Sequence, residues 1–232
     1  MEIIDYKSYY PSVSFSLSKG WEKMLQYFLP LFLVSIIIML IDGPVNASAK
    51  HENWNIPFII EFFGIIVGTV YFFLLRPAFH YSADYIYIQA IRDGEVEIRD
   101  IVRGFDRYWN VVLANLLKTM LVGMATILLI IPGIVVACRL AFVSYLVMDK
   151  NMDAIEAVET SWKLTRGFGW RIFGLAFLSV FIIIFGLIML IVGVFPASIW
   201  VSAAFATMYQ GALNQHPELF PEEYDFENQL IV

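Results

Sequence analysis

Residues 103–148 read RGFDRYWNVVLANLLKTMLVGMATILLIIPGIVVACRLAFVSYLVM. Within this stretch, residues 109–131 and 134–148 are two predominantly apolar runs that only Pro132-Gly133 separates, without a polar loop. A helical run of about 20 apolar residues crosses the roughly 30 Å hydrocarbon layer of a membrane. The stretch therefore predicts a hairpin of two membrane-spanning α-helices, the second of which is short.

The composition of the whole chain points to the same class of protein. Of its 232 residues, 59% are hydrophobic and 16% are charged, whereas soluble domains have about 45–50% apolar and about 25% charged residues. A transmembrane β-barrel would need short segments of alternating hydrophobicity. We therefore predict an all-α polytopic membrane protein. It has a single membrane domain of residues 1–214 and an acidic cytoplasmic tail of residues 215–232. The six transmembrane helices are expected at about residues 24–41, 57–78, 109–131, 134–148, 170–192 and 197–213.

Lysine and arginine are concentrated on one side of these six spans. They occur before the first span, in residues 92–107 and in residues 150–171, whereas the opposite side carries only Lys50. Because positively charged connections stay in the cytoplasm, both termini are expected there. The two amphipathic helices that the periodicity predicts, at residues 95–103 and 153–165, are expected at the same face.

A basic residue, a glycine and an aromatic ring recur where three apolar runs begin: Lys19-Gly20-Trp21, Arg103-Gly104-Phe105 and Arg166-Gly167-Phe168. Glycine lets the chain turn from the membrane surface into the bilayer without a β-carbon clash. Three such corners on one side predict three parallel helix-hairpin repeats. The alternative is that any cytoplasmic interface collects these residue types. The residues expected to contact lipid at this interface are Lys19, Trp21, Lys23, Arg103, Phe105, Arg107, Trp162, Arg166, Trp170 and Arg171.

Four polar side chains fall inside the predicted spans: Glu61, Asn115, Lys118 and Arg139. An unpaired charge there costs about 3 kcal/mol or more, so Glu61 and Arg139, both expected near the outer boundary, are candidate partners. This pair is interpreted either as a polar functional site or as a structural ion pair whose side chains reach the interface. Asn115 and Lys118 belong to a polar stripe on the third span that is typical of helix packing.

Four short strings resemble a bacterial family: residues 131–134 (IPGI), Arg139-Leu140, residues 154–157 (AIEA) and residues 161–167 (SWKLTRG). They resemble the integral-membrane domain that is joined to some glycerophosphoryl diester phosphodiesterases, and its stand-alone uncharacterised relatives. The likeness covers roughly residues 60–213. It implies a six-span bundle of unassigned activity in a bacterial inner membrane. The hydrolase of the fused members is a separate barrel domain without a counterpart in this sequence, so no catalytic residue is carried over.

No arrangement of residues in the sequence predicts catalysis, a cofactor or a metal site. His51, His80 and His216 are scattered, without metal-ligand spacing, and no basic patch suggests nucleic acid. We therefore expect a multi-pass membrane protein that is not an enzyme and that organises lipid, or a membrane or cytoplasmic partner protein, at the cytoplasmic leaflet. The alternative is a transporter or channel for a small molecule or ion that uses the region of Glu61 and Arg139.

Overall fold

The structure, a computed structural model, describes residues 8–48, 58–189 and 193–220, with the side chains of 43–48, 58–62 and 65 outside the description. The described residues form helices joined by turns, and no strand occurs among them. The predicted all-α class is thus confirmed. Most of the acidic tail, residues 221–232, and the ends of two predicted spans lie outside the described residues.

The chain contains ten α-helical segments within the described ranges, with bounds as follows. They are α1 (Val13–Gln26), α2 (Phe28–Ser48), α3 (Phe58–Val70), α4 (Arg76–Ile91), α5 (Tyr108–Leu128), α6 (Ile130–Arg139), α7 (Val143–Asp149), α8 (Ala154–Leu164), α9 (Gly169–Ile188) and α10 (Val194–Gln215). A π-helical turn, Tyr71–Leu75, joins α3 directly to α4, and 3-10 helices cover Ile98–Phe105 and Pro217–Leu219.

Three helical segments are long and apolar enough to cross a membrane: Tyr108–Leu128, Ile130–Asp149 and Gly169–Ile188. A fourth is added if α1 and α2, which meet at 98°, are taken as one bent span. The chain therefore has the make-up of a membrane-associated protein. The described helices supply these three or four spans rather than the full predicted set of six.

The hairpin of α5 and α6 turns at Leu129, before the Pro132-Gly133 pair at which the sequence predicted the turn. Leu129, with extended backbone, separates the two helices, and Pro132 falls in the first turn of α6, where a missing backbone N–H is tolerated. Gly133 packs against Thr126 so closely that a β-carbon would overlap its side chain. The fourth predicted span is further broken at residues 140–142, between α6 and α7, and this break was not predicted.

The centre of the bundle is formed by α4 and α10. Almost every residue in the last three turns of α4 is buried, and α10 contributes many buried alanines. Small residues allow other segments to approach α10 closely: a β-carbon on Gly20 of α1 would lie 2.7 Å from the backbone nitrogen of Ala204. An interior helix of this kind needs no lipid-facing apolar surface. This explains why α10, the predicted sixth span, does not reach the hydropathy of a membrane-crossing helix.

The three basic-Gly-aromatic segments have three different local structures. Gly20 lies in the middle of α1, and the chain bends only at Tyr27. Gly104 lies in the last turn of the 3-10 helix Ile98–Phe105, where its N–H donates to Ser82 Oγ at 2.7 Å and its backbone touches α4. Only Gly167 has a positive φ, +84°, and turns the chain between two helices. The prediction that Gly20 turns the chain was thus wrong. The three local structures give no support to the predicted threefold repeat.

The amphipathic segments lie close to their predicted positions. The helix predicted at residues 153–165 is α8, preceded by Asp153 in extended conformation at the N-cap position. The segment predicted at residues 95–103 is the 3-10 helix Ile98–Phe105, which packs along α4. Between α4 and this 3-10 helix, Asp93 has a φ of 54° and turns the chain after α4 ends at Ile91.

Candidate functional site

The residues of the SWKLTRG string meet Arg139 at the end of α6. The Arg139 carbonyl oxygen, left without an intrahelical donor at the helix end, accepts hydrogen bonds from Ser161 Oγ at 2.9 Å and Thr165 Oγ1 at 3.2 Å. The Arg139 guanidinium carbon lies 5.9 Å from the centre of the Trp162 ring, within reach of a cation–π interaction. The string thus fastens α8 to the end of α6 and holds Arg139 in place.

A pocket of about 410 Å³ opens beside Arg139, between α6 and α9. We call it the Arg139 pocket. Its walls are mostly apolar, and Arg139 is the charged residue among its lining. Arg139 Nη1 is buried without a hydrogen-bond partner among the described residues. The residues that line it are Ile131, Ile134, Val135, Cys138, Arg139, Gly167, Gly169, Trp170 and Phe173.

The turn between α8 and α9 presents basic and aromatic side chains outward. We call Lys163, Arg166 and Trp170 the α8–α9 corner. Trp170 is 84% exposed, the Lys163 side chain is 56% exposed, and Arg166 is exposed. Gly167 lets this corner form, because its φ of +84° is one that residues with a β-carbon rarely adopt. Of the three predicted interface corners, this one keeps the expected combination of exposure, positive charge and an aromatic ring.

The first predicted corner has a different role, because Lys23 does not face lipid. Its side chain is 1% exposed and forms an ion pair with Asp93. The same carboxylate accepts from Gln26 Nε2 at 3.0 Å and from the Tyr27 hydroxyl at 3.1 Å. The assignment of Lys23 to the lipid interface was therefore wrong. Sequence spacing could not show that an acidic residue 70 positions away closes over it.

The other two interface residues of α1 remain at the surface. Lys19 forms an exposed ion pair of 2.7 Å with Glu22, and Trp21 is 45% exposed and packs edge-on against Trp200. Neither contact prevents an approach to lipid.

Four further predicted interface residues make contacts within the protein. Arg103 lies over the Tyr85 ring at 4.1 Å, and Phe105 stacks on Tyr108. Arg107 donates to the Asn151 carbonyl and pairs with Asp153 at 3.3 Å. Arg171 donates to the Pro11 carbonyl at 2.8 Å and lies beside the Phe168 ring. The three positive charges of this set are thus used to join surface segments to the bundle.

The predicted partnership of Glu61 and Arg139 involves a side chain, that of Glu61, that lies outside the described residues. Arg139 itself faces Trp162 of α8, the helix expected at the cytoplasmic face, which is incompatible with its predicted position near the outer boundary. Lys118, by contrast, interacts with Asp84 of α4, and the Asp84 carboxylate also interacts with the Ser144 side chain of α7. Asn115 is half-buried on α5, one turn from Lys118.

Asp84 is a residue that sequence reasoning missed, because it lies beyond the end of the second predicted span, residues 57–78. Tyr81, Tyr87 and Tyr145 lie close enough to Asp84 to interact with its charge, and these three rings are buried. Asp84 of α4 and Lys118 of α5 interact with one another, and each is half-buried. We call Asp84, Lys118 and Ser144 the polar core. Its signal in the sequence was a carboxylate, Asp84, among closely spaced tyrosines in residues 81–87 (YSADYIY).

A second polar group lies where α4, α7 and α10 end. Arg92 binds Asp149 with two hydrogen bonds of 2.6 and 2.9 Å and donates from Nε to Gln210 at 2.7 Å. The Tyr209 hydroxyl donates to the same carboxylate at 3.0 Å. This bidentate geometry is the strong form of an arginine–carboxylate pair, and it fixes three helix ends together.

The N-terminal segment is held against these ends. Asn214 Nδ2 donates to the Tyr9 carbonyl at 3.0 Å, and the Tyr9 ring is buried. Burial, together with the negative charges of Asp93 and Glu22, raises the pKa of Tyr9 to about 12. The phenol therefore stays neutral at physiological pH.

Comparisons of the chain with protein-family models, with curated proteins and with solved structures found no significant match. The resemblance to the membrane domain of glycerophosphoryl diester phosphodiesterases therefore stays a prediction that rests on the four short strings.

Proposed function

We propose that the chain is a multi-pass protein of a bacterial cytoplasmic membrane that binds lipid at the cytoplasmic leaflet and is not an enzyme. In this proposal six spans cross the membrane and both termini lie in the cytoplasm. The support is the one-sided distribution of lysine and arginine, together with the three or four helices apolar enough to cross a membrane. A membrane or cytoplasmic partner protein is the other occupant that the same surface could take.

The observation that carries this proposal is the α8–α9 corner. An indole that is 84% exposed at the start of a membrane-spanning helix is typical of the interfacial belt, where the ring contacts headgroups. Lys163 and Arg166 place two exposed positive charges beside it. Positive charges near an anionic membrane surface contribute about 1 kcal/mol each. The corner therefore combines an anchor with a preference for anionic lipid.

Some of the residues expected at the interface are held within the protein. Lys23 is buried in an ion pair, and Arg107 is held by Asn151 and Asp153. Replacing these residues would disturb folding as well as lipid contact. Lys163 and Arg166 are exposed, so their charges can be removed with little effect on the bundle.

The proposal is tested by reconstituting the full chain in nanodiscs of phosphatidylcholine and phosphatidylglycerol, and measuring the enrichment of phosphatidylglycerol around the protein. The double variant Lys163→Gln/Arg166→Gln should lower that enrichment about thirtyfold, the expected effect of two interfacial charges of about 1 kcal/mol each. The matched control is Arg99→Gln, which removes an exposed charge from another surface segment. An enrichment that is unchanged in the first variant, or lowered equally in the control, would contradict the proposal.

A second candidate function, transport of a small ion or molecule, is favoured by the polar core. Ionisable groups between membrane helices often mark ion or substrate paths. Asp84 and Lys118 are brought together from α4 and α5, and Ser144 of α7 completes the group. This arrangement moves the candidate path away from the region of Glu61 and Arg139 that the sequence suggested.

The test of transport is flux of protons, sodium and potassium into proteoliposomes that contain the purified chain. Asp84→Asn and Lys118→Met should each abolish a flux that the wild type shows, while Asp106→Asn, at an exposed carboxylate, should keep it. Wild-type flux no higher than that of empty liposomes would count against this candidate for these three ions.

A further inference from the structure

We propose that the Arg139 pocket binds one anionic phospholipid, with the lipid phosphate on Arg139 and an acyl chain along the apolar wall. This inference rests on the proposed function, because it names the lipid class and the residues for a site that lies directly behind the α8–α9 corner. It differs from general contact with surrounding lipid in that a single molecule is held in a defined cavity.

The shape and lining of the pocket fit an acyl chain. Its volume of about 410 Å³ lies in the range of about 300–1,000 Å³ that is usual for ligand sites. Ile134 and Val135 form one wall and Phe173 forms part of the other. Both walls come from segments apolar enough to cross a membrane, so the pocket opens where acyl chains would surround these helices.

The charge in the pocket fits a phosphate. Arg139 Nη1 is buried and has no hydrogen-bond acceptor among the described residues. A buried donor without a partner is unfavourable, and an anionic oxygen would supply the missing acceptor. Arginine is the side chain best suited to phosphate, because its planar donors match two phosphate oxygens.

The residues around Arg139 fix its backbone and leave its guanidinium accessible to such a ligand. Ser161 and Thr165 bind its carbonyl oxygen and not its side chain, so the fixed backbone leaves the guanidinium available. Trp162 lies 5.9 Å from the guanidinium carbon and limits its movement on one side. No carboxylate of α8 contacts the Arg139 guanidinium among the described residues.

Glycine at position 169 keeps the pocket open. A β-carbon built on Gly169 meets no heavy atom within 4 Å, and its backbone is that of the first residue of α9. A larger side chain can therefore be placed there without backbone strain, and it would occupy the space that we assign to the acyl chain. This provides a way to close the pocket while Arg139 is retained.

The experiment is native mass spectrometry of the full chain after purification in mild detergent and exposure to equal amounts of phosphatidylglycerol and phosphatidylcholine. The wild type should retain one phosphatidylglycerol several times more often than phosphatidylcholine, because the choline ammonium of the latter offsets the phosphate charge that Arg139 would contact. Arg139→Met and Gly169→Leu should each lose this retained molecule. The controls Arg99→Met and Gly68→Leu, which make the same changes at exposed or open positions, should keep it.

Several outcomes would overturn the inference: equal retention of both lipids, retention of a free fatty acid instead of a phospholipid, or an unchanged lipid in both pocket variants. If Arg139→Met fails to fold, as circular dichroism would show, Gly169→Leu still decides. The proposed function fails separately. If phosphatidylglycerol is enriched around the protein in nanodiscs but no molecule is retained in mass spectrometry, the pocket inference is wrong and the proposed function is supported. If one molecule is retained but no enrichment depends on Lys163 and Arg166, the proposed function is wrong and the pocket inference is supported.

Discussion

The Lys19-Gly20-Trp21 segment and the Arg166-Gly167-Phe168 segment have the same order of residue types but opposite structural roles. In the first, the glycine lies within α1 against the backbone of Ala204, and nearby Lys23 is buried. In the second, the glycine turns the chain and the basic residue is exposed. The comparison teaches that a short motif reports which residues are present, whereas their role depends on what another part of the chain places against them.

The largest expected difference between the two segments concerns their basic residues. Lys23→Met leaves the Asp93 carboxylate without its ammonium partner, and removal of one partner from a buried pair costs about 3 kcal/mol. Arg166→Met, at an exposed position, should change stability by less than about 0.5 kcal/mol. Unfolding by a denaturing detergent, followed by circular dichroism, measures both. Equal effects of the two substitutions would remove the distinction, and Lys23→Met/Asp93→Asn should recover part of the loss.

The second expected difference concerns close packing at the glycines. In Gly20→Val the new side chain would meet the Ala204 backbone, which cannot move aside as a flexible side chain would. We expect a loss of about 1–3 kcal/mol, the usual cost of overpacking. Gly174→Val is the matched control within a helix, since the nearest atom to its β-carbon is the movable end of Val13 at 3.4 Å. A control that is as damaging as Gly20→Val would show that helix propensity, and not the contact with α10, explains the effect.

The third difference isolates backbone conformation. Gly167→Ala should cost about 1 kcal/mol because its φ of +84° is unfavourable for a residue with a β-carbon, although nothing lies within 4 Å of the added carbon. Gly167→Asn should cost less, since asparagine tolerates the left-handed region. The same unfolding measurement applies, and an alanine variant as stable as the wild type would mean that the turn at Gly167 is not required.

The smallest effect concerns the N-terminal segment that packs beside the first corner. The raised pKa of Tyr9, about 12, means that the folded protein retains the phenolic proton above pH 10, where an unfolded chain loses it. The stability that this group contributes is therefore present below pH 10 and is lost as the pH rises towards 12. Tyr9→Phe should lessen the fall in thermal stability between pH 10 and 12. A fall identical to that of the wild type would show that other groups cause it.

Helices with long apolar runs were well predicted from the sequence. The third span was expected at residues 109–131 and is found at Tyr108–Leu128, and α8 ends within one residue of its predicted bounds. Hydrophobic periodicity depends only on residues that are close in sequence, so these helix boundaries can be predicted from the sequence. The bend at Tyr27 and the break at residues 140–142 were not predicted, because both depend on how neighbouring helices pack.

Contacts between residues that are far apart in the sequence could not be predicted. Lys118 was recognised as an intramembrane polar residue, but its interaction with Asp84 joins two helices whose relative position no local pattern contains. Likewise, Arg139 was placed correctly in an apolar segment, whereas its neighbours Ser161 and Trp162 could be recognised only as a shared family string. The string had marked the residues of the site without showing that they touch.

The polar core also has a consequence for the order in which the bundle assembles. Asp84 of α4 interacts with Lys118 of α5, and a charged group buried without its partner is costly. Because α4 precedes α5 in the chain, synthesis at about 5–20 residues per second delays the arrival of Lys118 by a few seconds. The buried face of α4 should therefore pack only after α5 has been made, so that the pair couples the assembly of the two helices.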